Sequence, residues 1–230
     1  MLFFRSMKYF LLLFIAFTAR AEQGMSQQDM QFIQMMQEKA EREQREQEFK
    51  EPKKPKIDKD RAVSGDRNAK ILIVAYSDFE CPYCSKGAEN LEVVRKKYGS
   101  KVGFVFKHLP LPFHSMAQPA AEYFEAIALQ SSKAAYKFHD MVFKEQHRLK
   151  DEGLKFLDEV AKKAGADLAK VKANLKNEKV QAHINQDREE AKKFGISGTP
   201  GFVVAGVTVK GAYPPEEFYA IIDRRLKSKK

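Results

Sequence analysis

The chain has 230 residues, of which 43% are hydrophobic and 31% charged, and its formal net charge is +10. It contains two cysteines, which excludes a small scaffold held together by several disulfides. Its basic residues are spread along the chain without interleaved aromatic residues, so the sequence predicts no nucleic-acid partner.

The N-terminal stretch, residues 1–21, has the pattern of a cleavable export signal. Arg5 and Lys8 form a basic start, residues 9–17 are apolar, and residues 19–21 have the small-x-small pattern of a signal-peptidase site. The apolar part is about half of the ~20 residues that span a bilayer. We therefore predict a signal peptide and an exported protein, in the periplasm or another extracytoplasmic compartment. An uncleaved membrane-anchoring segment is the alternative.

Residues 22–57 form a charged extension that differs in composition from the rest of the chain. No Gly or Pro occurs from Ser26 to Glu51, and Pro52 and Pro55 then end the predicted helix. The apolar residues of this helix gather in its first half: Met30, Phe32, Ile33, Met35, Met36 and Ala40. Three interpretations follow, namely a self-association helix that makes a homo-oligomer, a solvated spacer, or a helix docked on its own domain.

The remaining sequence predicts one α/β domain with a block of helices inside it. A buried strand at 70–77, a helix at 83–98 and a strand at 102–107 make a β-α-β unit. Helices are predicted next at 115–130, 133–147, 152–164, 167–176 and 178–194. A hairpin with strands 202–205 and 207–209 follows, and a last helix runs from 214 to about 226.

Both cysteines lie in the motif Cys81-Pro82-Tyr83-Cys84, at the junction of the first predicted strand and helix. A disulfide across so short a span constrains little of the unfolded chain, so the spacing favours reversible thiol–disulfide chemistry. Unpaired N–H groups at the helix start favour a thiolate at Cys81. This predicts Cys81 as the nucleophile and Cys84 as the resolving thiol, with Pro82 and Tyr83 tuning the pair.

Two other interpretations of the cysteine pair remain open. A zinc site would need two more ligands, and His108 and His114 have a passable mutual spacing. The stretch from Cys84 to His108 is too long for a C2H2 finger, so we predict no metal and no cofactor. The second alternative is an inert structural disulfide.

Three motifs together resemble the DsbA-like thiol-disulfide oxidoreductases, over about residues 60–228. They are Asp78-Phe79-Glu80-Cys81-Pro82-Tyr83-Cys84, residues 107–114 (KHLPLPFH) and residues 194–202 (FGISGTPGF). The resemblance implies a thioredoxin fold, formed by residues 58–114 and 195–230, with a helical domain inserted at 115–194. It also implies a cis peptide at Thr199–Pro200 that faces the cysteines and binds substrate.

The resemblance further implies the partners of the protein and exposes one departure from the family pattern. The partners are exported proteins with thiols or disulfides and a membrane redox partner that recycles the cysteines. Many relatives carry a buried acid six residues before the first cysteine, as a proton acceptor for the resolving thiol. This chain has Ala75 there.

The sequence therefore predicts an exported thiol-disulfide oxidoreductase, with dithiol oxidase activity as the favoured direction. An oligomeric isomerase or reductase that uses residues 22–57 is the alternative. A non-catalytic chaperone or binding protein is the alternative from another class.

Overall fold

The structure is a computed structural model that describes residues 26–228, so the predicted signal peptide lies outside the described residues. Helix α1 (Gln27–Lys50) begins after Ser26. The Ser26 hydroxyl accepts a hydrogen bond from the Asp29 N–H at 3.1 Å, and the Ser26 N–H donates to the Asp29 carboxylate at 3.2 Å. This reciprocal capping fixes the start of the helix. The chain divides at Glu46 into two compact units, the second of which comprises residues 47–230.

Within residues 26–228, five strands form one mixed sheet in the order β1-β3-β2-β4-β5. The strands are β1 (Ser64–Gly65), β2 (Ile71–Ser77), β3 (Val102–His108), β4 (Gly201–Val204) and β5 (Val207–Lys210). β2 and β3 are parallel, and the other pairs are antiparallel. The predicted strands are confirmed. β1 was not predicted, because two residues are too short for a pattern to show.

The two faces of the sheet carry different side chains. On one face, Ile71 and Ile73 pack with residues of α2 (Pro82–Tyr98) and α9 (Pro215–Lys227). On the other face, Val74 packs with Ala191 and Ile196. The alternation along β2 follows from the two-residue period of a strand, and burial on both faces explains its continuous apolar sequence.

Six helices lie between β3 and β4 in the described chain. They are α3 (Ala117–Ala128), α4 (Ser132–Lys144), α5 (Gln146–Glu152), α6 (Leu154–Ala164), α7 (Leu168–Asn174) and α8 (Glu178–Lys193). The prediction of one helix over 133–147 is wrong, because the chain leaves helical geometry at Glu145 and restarts as α5. The break lets the first side chain of α5, Gln146, donate to the carbonyls of Phe79 and Cys81, each at 2.8 Å.

A buried cluster of charges connects the helical block to the sheet. The guanidinium of Arg61 pairs with Glu125 of α3 at 2.7 Å and with Asp187 of α8. Lys107 of β3 pairs with Asp187 at 3.5 Å and also with Glu190. Charges removed from water need partners of this kind, so the cluster fixes how these elements assemble.

The last residues of α1 pack on the domain that contains the sheet. The buried Glu48 carboxylate accepts hydrogen bonds from the Thr208 N–H at 2.6 Å and hydroxyl at 3.0 Å, and it pairs with Lys53 at 3.0 Å. Arg225 donates to the carbonyls of Glu48 and Phe49. This end of the extension is therefore docked on its own domain, whereas residues 26–44 are exposed, so the roles as a spacer or as a self-association helix stay predictions. None of the helices within residues 26–228 combines the length and the apolar character needed to cross a membrane.

Candidate dithiol active site

The strand-to-helix junction presents the two sulfurs differently. Cys81 has extended backbone geometry and is the N-cap of α2, and Pro82 is the first helical residue. Cys84 lies one turn into the helix, and its N–H donates to the Cys81 carbonyl at 3.0 Å. Both cysteines are free thiols, with Cys81 5% and Cys84 1% exposed, whereas Tyr83 between them is 69% exposed.

The Thr199–Pro200 peptide is cis, as predicted, and it lies against Cys81. The Cys81 sulfur is 3.6 Å from the carbonyl oxygen of Thr199. Gly87 of α2 makes this approach feasible, because a Cβ there would lie 3.2 Å from Pro200 Cγ and 3.0 Å from the ring of Phe202. The cysteine motif at the start of α2 thus contacts the cis-proline loop that precedes β4.

The surroundings move the pKa values of the two thiols in opposite directions. The Cys84 thiol, then Thr199 and the backbone N–H groups of Cys84 and Tyr83, lower the pKa of Cys81 to about 5 by hydrogen bonding to its thiolate. Burial raises the pKa of Cys84, and its hydrogen bond to the Cys81 sulfur adds to this. At neutral pH the geometry favours a thiolate at Cys81 and a protonated thiol at Cys84.

Two acidic side chains of the motif hold the neighbouring loop, residues 109–116, in place. The buried Asp78 carboxylate accepts from the Leu111 N–H at 2.9 Å and bonds the His114 ring at 2.7 Å. The Glu80 carboxylate accepts from the Met116 N–H at 2.6 Å. The loop is thereby fixed at the rim of the site, a role for these acids that the sequence analysis did not assign.

The zinc alternative finds no support in the described part of the chain. His114 is bonded to Asp78, and His108 is bonded to Glu125 of α3 at 2.9 Å. No group of three or more His, Cys, Asp or Glu side chains within residues 26–228 is arranged to hold a metal ion. The structure brings together Cys81 and Cys84 with the cis-proline loop, and leaves the two histidines in separate polar contacts.

Sequence reasoning missed Gln146, which fixes the carbonyls of Phe79 and Cys81 from α5. A single glutamine at the start of a helix carries no sequence signal of such a role. Phe113 was also missed, although it is 75% exposed in the loop that Asp78 holds. An exposed aromatic side chain on a loop that contacts the cysteine motif is suited to pack against apolar groups.

Comparison with known proteins defines the class of this chain. A family model described as thioredoxin matches residues 57–224. The chain therefore belongs to the thioredoxin family.

Solved structures place the fold more narrowly within that class. BdbD from Bacillus subtilis is 22% identical, with a TM-score of 0.68 over 76% of this chain and 97% of that chain. The thiol-disulfide exchange protein α-DsbA2 from Wolbachia pipientis is 20% identical, with a TM-score of 0.65 over 73% of this chain and 88% of its own. A periplasmic thioredoxin-like protein from Salmonella enterica serovar Typhimurium is 22% identical, with a TM-score of 0.63 over 74% and 92%. The predicted DsbA-like fold is confirmed.

Curated relatives match through a part of their length. The Na⁺/H⁺ antiporter NhaA 3 of Salinispora tropica is 35% identical over 168 residues, which are 72% of this chain and 25% of that protein. The Na⁺/H⁺ antiporter NhaA of Herminiimonas arsenicoxydans is 31% identical over 161 residues, 70% of this chain and 25% of its own. The chain thus spans about a quarter of the length of these relatives.

Proposed function

We propose that the protein is an exported thiol-disulfide oxidoreductase that exchanges disulfides with protein substrates through Cys81 and Cys84. The observation that carries the proposal is the placement of the pair, with Cys81 at the N-cap of α2 and 3.6 Å from the Thr199 carbonyl oxygen, and Cys84 buried one turn further on. This placement agrees with a lowered pKa at Cys81 and a raised pKa at Cys84. A nucleophile needs to be a thiolate and accessible to substrate, whereas the resolving thiol needs to stay protonated until the mixed disulfide has formed.

The favoured direction is oxidation of substrate dithiols. In this direction a substrate thiolate attacks the Cys81 sulfur of the Cys81–Cys84 disulfide, and Cys84 leaves as a thiolate and takes up a proton. A second substrate thiolate then attacks the substrate sulfur of the mixed disulfide, and Cys81 leaves with the electron pair. The substrate has lost two electrons, and the protein has gained them. A low pKa at Cys81 stabilises the reduced protein, which makes its oxidised form the stronger oxidant.

The cis-proline loop and the exposed aromatic residues suit an extended polypeptide substrate. We assign Thr199 and Pro200 to substrate binding, because the Thr199 carbonyl lies 3.6 Å from the Cys81 sulfur. Tyr83 and Phe113 are 69% and 75% exposed, so they offer apolar surface to the segments that flank a substrate cysteine. An exported oxidase also needs a membrane redox partner that accepts electrons from the reduced cysteines.

One observation favours the second candidate, an oligomeric disulfide isomerase. The first half of α1 leaves large apolar side chains in water, with Phe32 59%, Met35 56% and Met30 50% exposed. Such a concentration of exposed apolar surface favours association, here with a second copy of the same helix. An assembly of copies would hold several dithiols around one misfolded substrate, as an isomerase requires.

The experiment compares two activities in the protein without its signal peptide and in a variant that also lacks residues 22–46. That boundary keeps the docked residues Glu48 and Phe49. Rapid oxidation of a reduced substrate by both, with no refolding of a scrambled substrate by either, supports the oxidase. Refolding by the longer protein alone identifies the isomerase and contradicts the favoured direction. If a Cys81→Ala variant matches the unmodified protein in both assays, the protein acts as a chaperone and the proposal fails.

A further inference from the structure

The turn that carries Cys81 is held from two sides. On one side, Asp78 accepts the Cys81 N–H with its backbone carbonyl at 3.2 Å and the Glu80 N–H with its carboxylate at 2.8 Å. On the other side, the side chain of Gln146 donates to the carbonyls of Phe79 and Cys81, each at 2.8 Å. Asp78 follows β2 directly, whereas Gln146 belongs to the inserted helices, so two separate parts of the fold define this turn.

The two contacts of Gln146 use both hydrogens of its carboxamide. Carbonyl oxygens only accept hydrogen bonds, so the atom that faces both of them is the nitrogen, and each of its hydrogens has one acceptor. Phe79 is 1% exposed, so water is a poor substitute for this donor. A side chain of similar shape without the two hydrogens therefore cannot replace Gln146.

The direction of the Cys81 carbonyl is coupled to the placement of its sulfur. This carbonyl turns with the ψ angle of Cys81, which is 121°, and the same angle sets the path of the helix that follows. Pro82 has no N–H, so the N–H groups at this helix start begin at Tyr83. Because Gln146 holds the carbonyl, it also fixes how the Cys81 sulfur lies relative to these N–H groups and to the Thr199 carbonyl oxygen, 3.6 Å away.

A further contact joins the same helices. The Ser85 hydroxyl of α2 donates to the Phe143 carbonyl, in the last turn of α4, at 3.2 Å. The Phe143 ring packs on Phe79, with ring centroids 5.1 Å apart. The junction of α4 and α5 therefore contacts the chain both before and after Cys81.

Gln146 lies in a part of the helical block that several ion pairs hold in place. It is the first residue of α5. Arg148 of the same helix pairs with three carboxylates, those of Glu145 at 2.8 Å, Glu152 at 2.6 Å and Glu159 of α6 at 2.8 Å. Several charges around one guanidinium hold their elements together better than an isolated surface pair does. The helix thus presents Gln146 to the turn from a fixed position.

We propose that Gln146 is a positioning residue for thiol–disulfide exchange, which orients Cys81 through the carbonyls of Phe79 and Cys81. The inserted helices thereby influence the reactivity of a cysteine that belongs to the thioredoxin fold. Without the two donated hydrogen bonds the turn gains freedom, the N–H groups at the helix start face the Cys81 thiolate less closely, and the thiolate is less stable. The inference rests on the proposed function.

The test measures the thiolate in the protein without its signal peptide. Gln146→Met keeps the approximate size of the side chain and removes both hydrogens. We expect the pKa of Cys81, followed by the absorbance near 240 nm against pH, to rise by about 0.5 to 1, because losing one net hydrogen bond changes an equilibrium constant by about three- to tenfold. At pH 7 the equilibrium with glutathione should shift toward the Cys81–Cys84 disulfide by a similar factor, because the reduced form is less stable.

Gln146→Glu is the second variant, and it keeps the test decisive if Gln146→Met does not fold. Its side chain has nearly the same shape, but an ionised carboxylate only accepts hydrogen bonds and adds a negative charge beside the turn. We expect the pKa of Cys81 to rise at least as far as in Gln146→Met.

Gln130→Met is the matched control. Gln130 also makes two hydrogen bonds to backbone, with the N–H of Asp167 at 3.0 Å and its carbonyl at 3.2 Å. We expect this variant to keep the pKa of Cys81 and the glutathione equilibrium of the unmodified protein, and urea unfolding reports the stability of each variant.

Two results would overturn the inference. One is that the Gln146 variants keep both the pKa of Cys81 and the glutathione equilibrium, whatever their stability, since Gln146 would then serve packing alone. The other is an equal shift in Gln130→Met. An unmodified protein that forms no Cys81–Cys84 disulfide at any glutathione ratio contradicts the proposed function instead.

Discussion

At the scale of single residues, the chemistry depends on an unequal division of surroundings between two sulfurs that are three positions apart. Cys81 lies at the start of a helix, where backbone N–H groups have no partner within the helix, and Cys84 is buried in the interior of the fold. The hydrogen bond between the two sulfurs and the burial of Cys84 therefore set most of the difference in pKa, and we expect the two intervening side chains to adjust it. We therefore expect the pKa of Cys81 to be lowered in the unmodified protein and to change further when Tyr83 is replaced.

The pKa of Cys81 has a direct consequence for its reactivity. Because the pKa is lowered to about 5, the thiolate is present above pH 5 and disappears as the pH falls through that value. The alkylation rate of the reduced protein with iodoacetamide should rise with a midpoint near pH 5 and then level off below pH 7. A midpoint near the ordinary value of about 8.5 for cysteine would contradict the described geometry.

Tyr83 offers a second residue-scale prediction, because it lies at the helix start and cannot carry a positive charge. Tyr83→His adds a group that can, so we expect it to lower the pKa of Cys81 below that of the unmodified protein. Tyr83→Phe is the matched control and should leave the pKa unchanged. The thiolate absorbance near 240 nm, followed against pH, measures both variants, and an unchanged pKa in Tyr83→His would disprove the tuning role.

At the scale of elements, α1 has two parts with different physical character. Its first half carries exposed apolar side chains, whereas its last residues are tied to β5 through Glu48 and to α9 through Arg225. Phe49 also lies under the guanidinium of Arg224, 3.7 Å from its ring centroid. The last residues of the helix, from Glu48 on, are thus joined to the domain that carries the dithiol.

The contribution of the Glu48 contacts to stability can be tested with the Glu48→Ala variant. The change leaves the Thr208 N–H and hydroxyl without their acceptor, so we expect the free energy of unfolding to fall by about 1–3 kcal/mol. Glu41→Ala, an exposed change on the same helix, should have little effect. Urea unfolding followed by circular dichroism measures both. Equal stability of the two variants would mean that the joint contributes nothing.

At the scale of the whole molecule, the buried charge cluster holds the helical block on the sheet. Arg61 neutralises Glu125 and Asp187, which come from helices at opposite ends of that block. Arg61 is 4% exposed, so removing its charge takes from two buried carboxylates the guanidinium that they share. One side chain that precedes the first strand thus contributes to the placement of the helices on the sheet, together with Lys107 of β3.

Arg61→Met should lower the free energy of unfolding by about 3–5 kcal/mol, the cost of breaking a buried ion pair from one side. Lys179→Met removes a pair with Asp60 whose side chains are 64% and 40% exposed, and should cost less than about 1 kcal/mol. Urea titrations of both variants at pH 7 provide the comparison. A cost for Arg61→Met no larger than that for Lys179→Met would refute the structural role of the cluster.

Local patterns in the sequence predicted the strands, the helices and the reactive cysteine pair. They did not predict contacts between residues that are far apart in the chain. The continuous apolar run of β2 and the two cysteines before a helix indicated the fold and the reactive pair. The docking of Glu48 on Thr208, the partners of Arg61 and the contact of Gln146 with Cys81 join residues far apart in the chain. No local pattern marks such contacts, because the residue types involved are equally common on exposed helices.

The most direct test of the account is to trap the mixed disulfide. Reduced Cys84→Ala and Cys81→Ala variants are each incubated with a disulfide-bonded substrate protein and analysed by non-reducing electrophoresis and mass spectrometry. The account predicts a stable cross-link between substrate and Cys81 in the Cys84→Ala variant, and none in the Cys81→Ala variant. A cross-link at Cys84, or the absence of any cross-link in both variants, would contradict it.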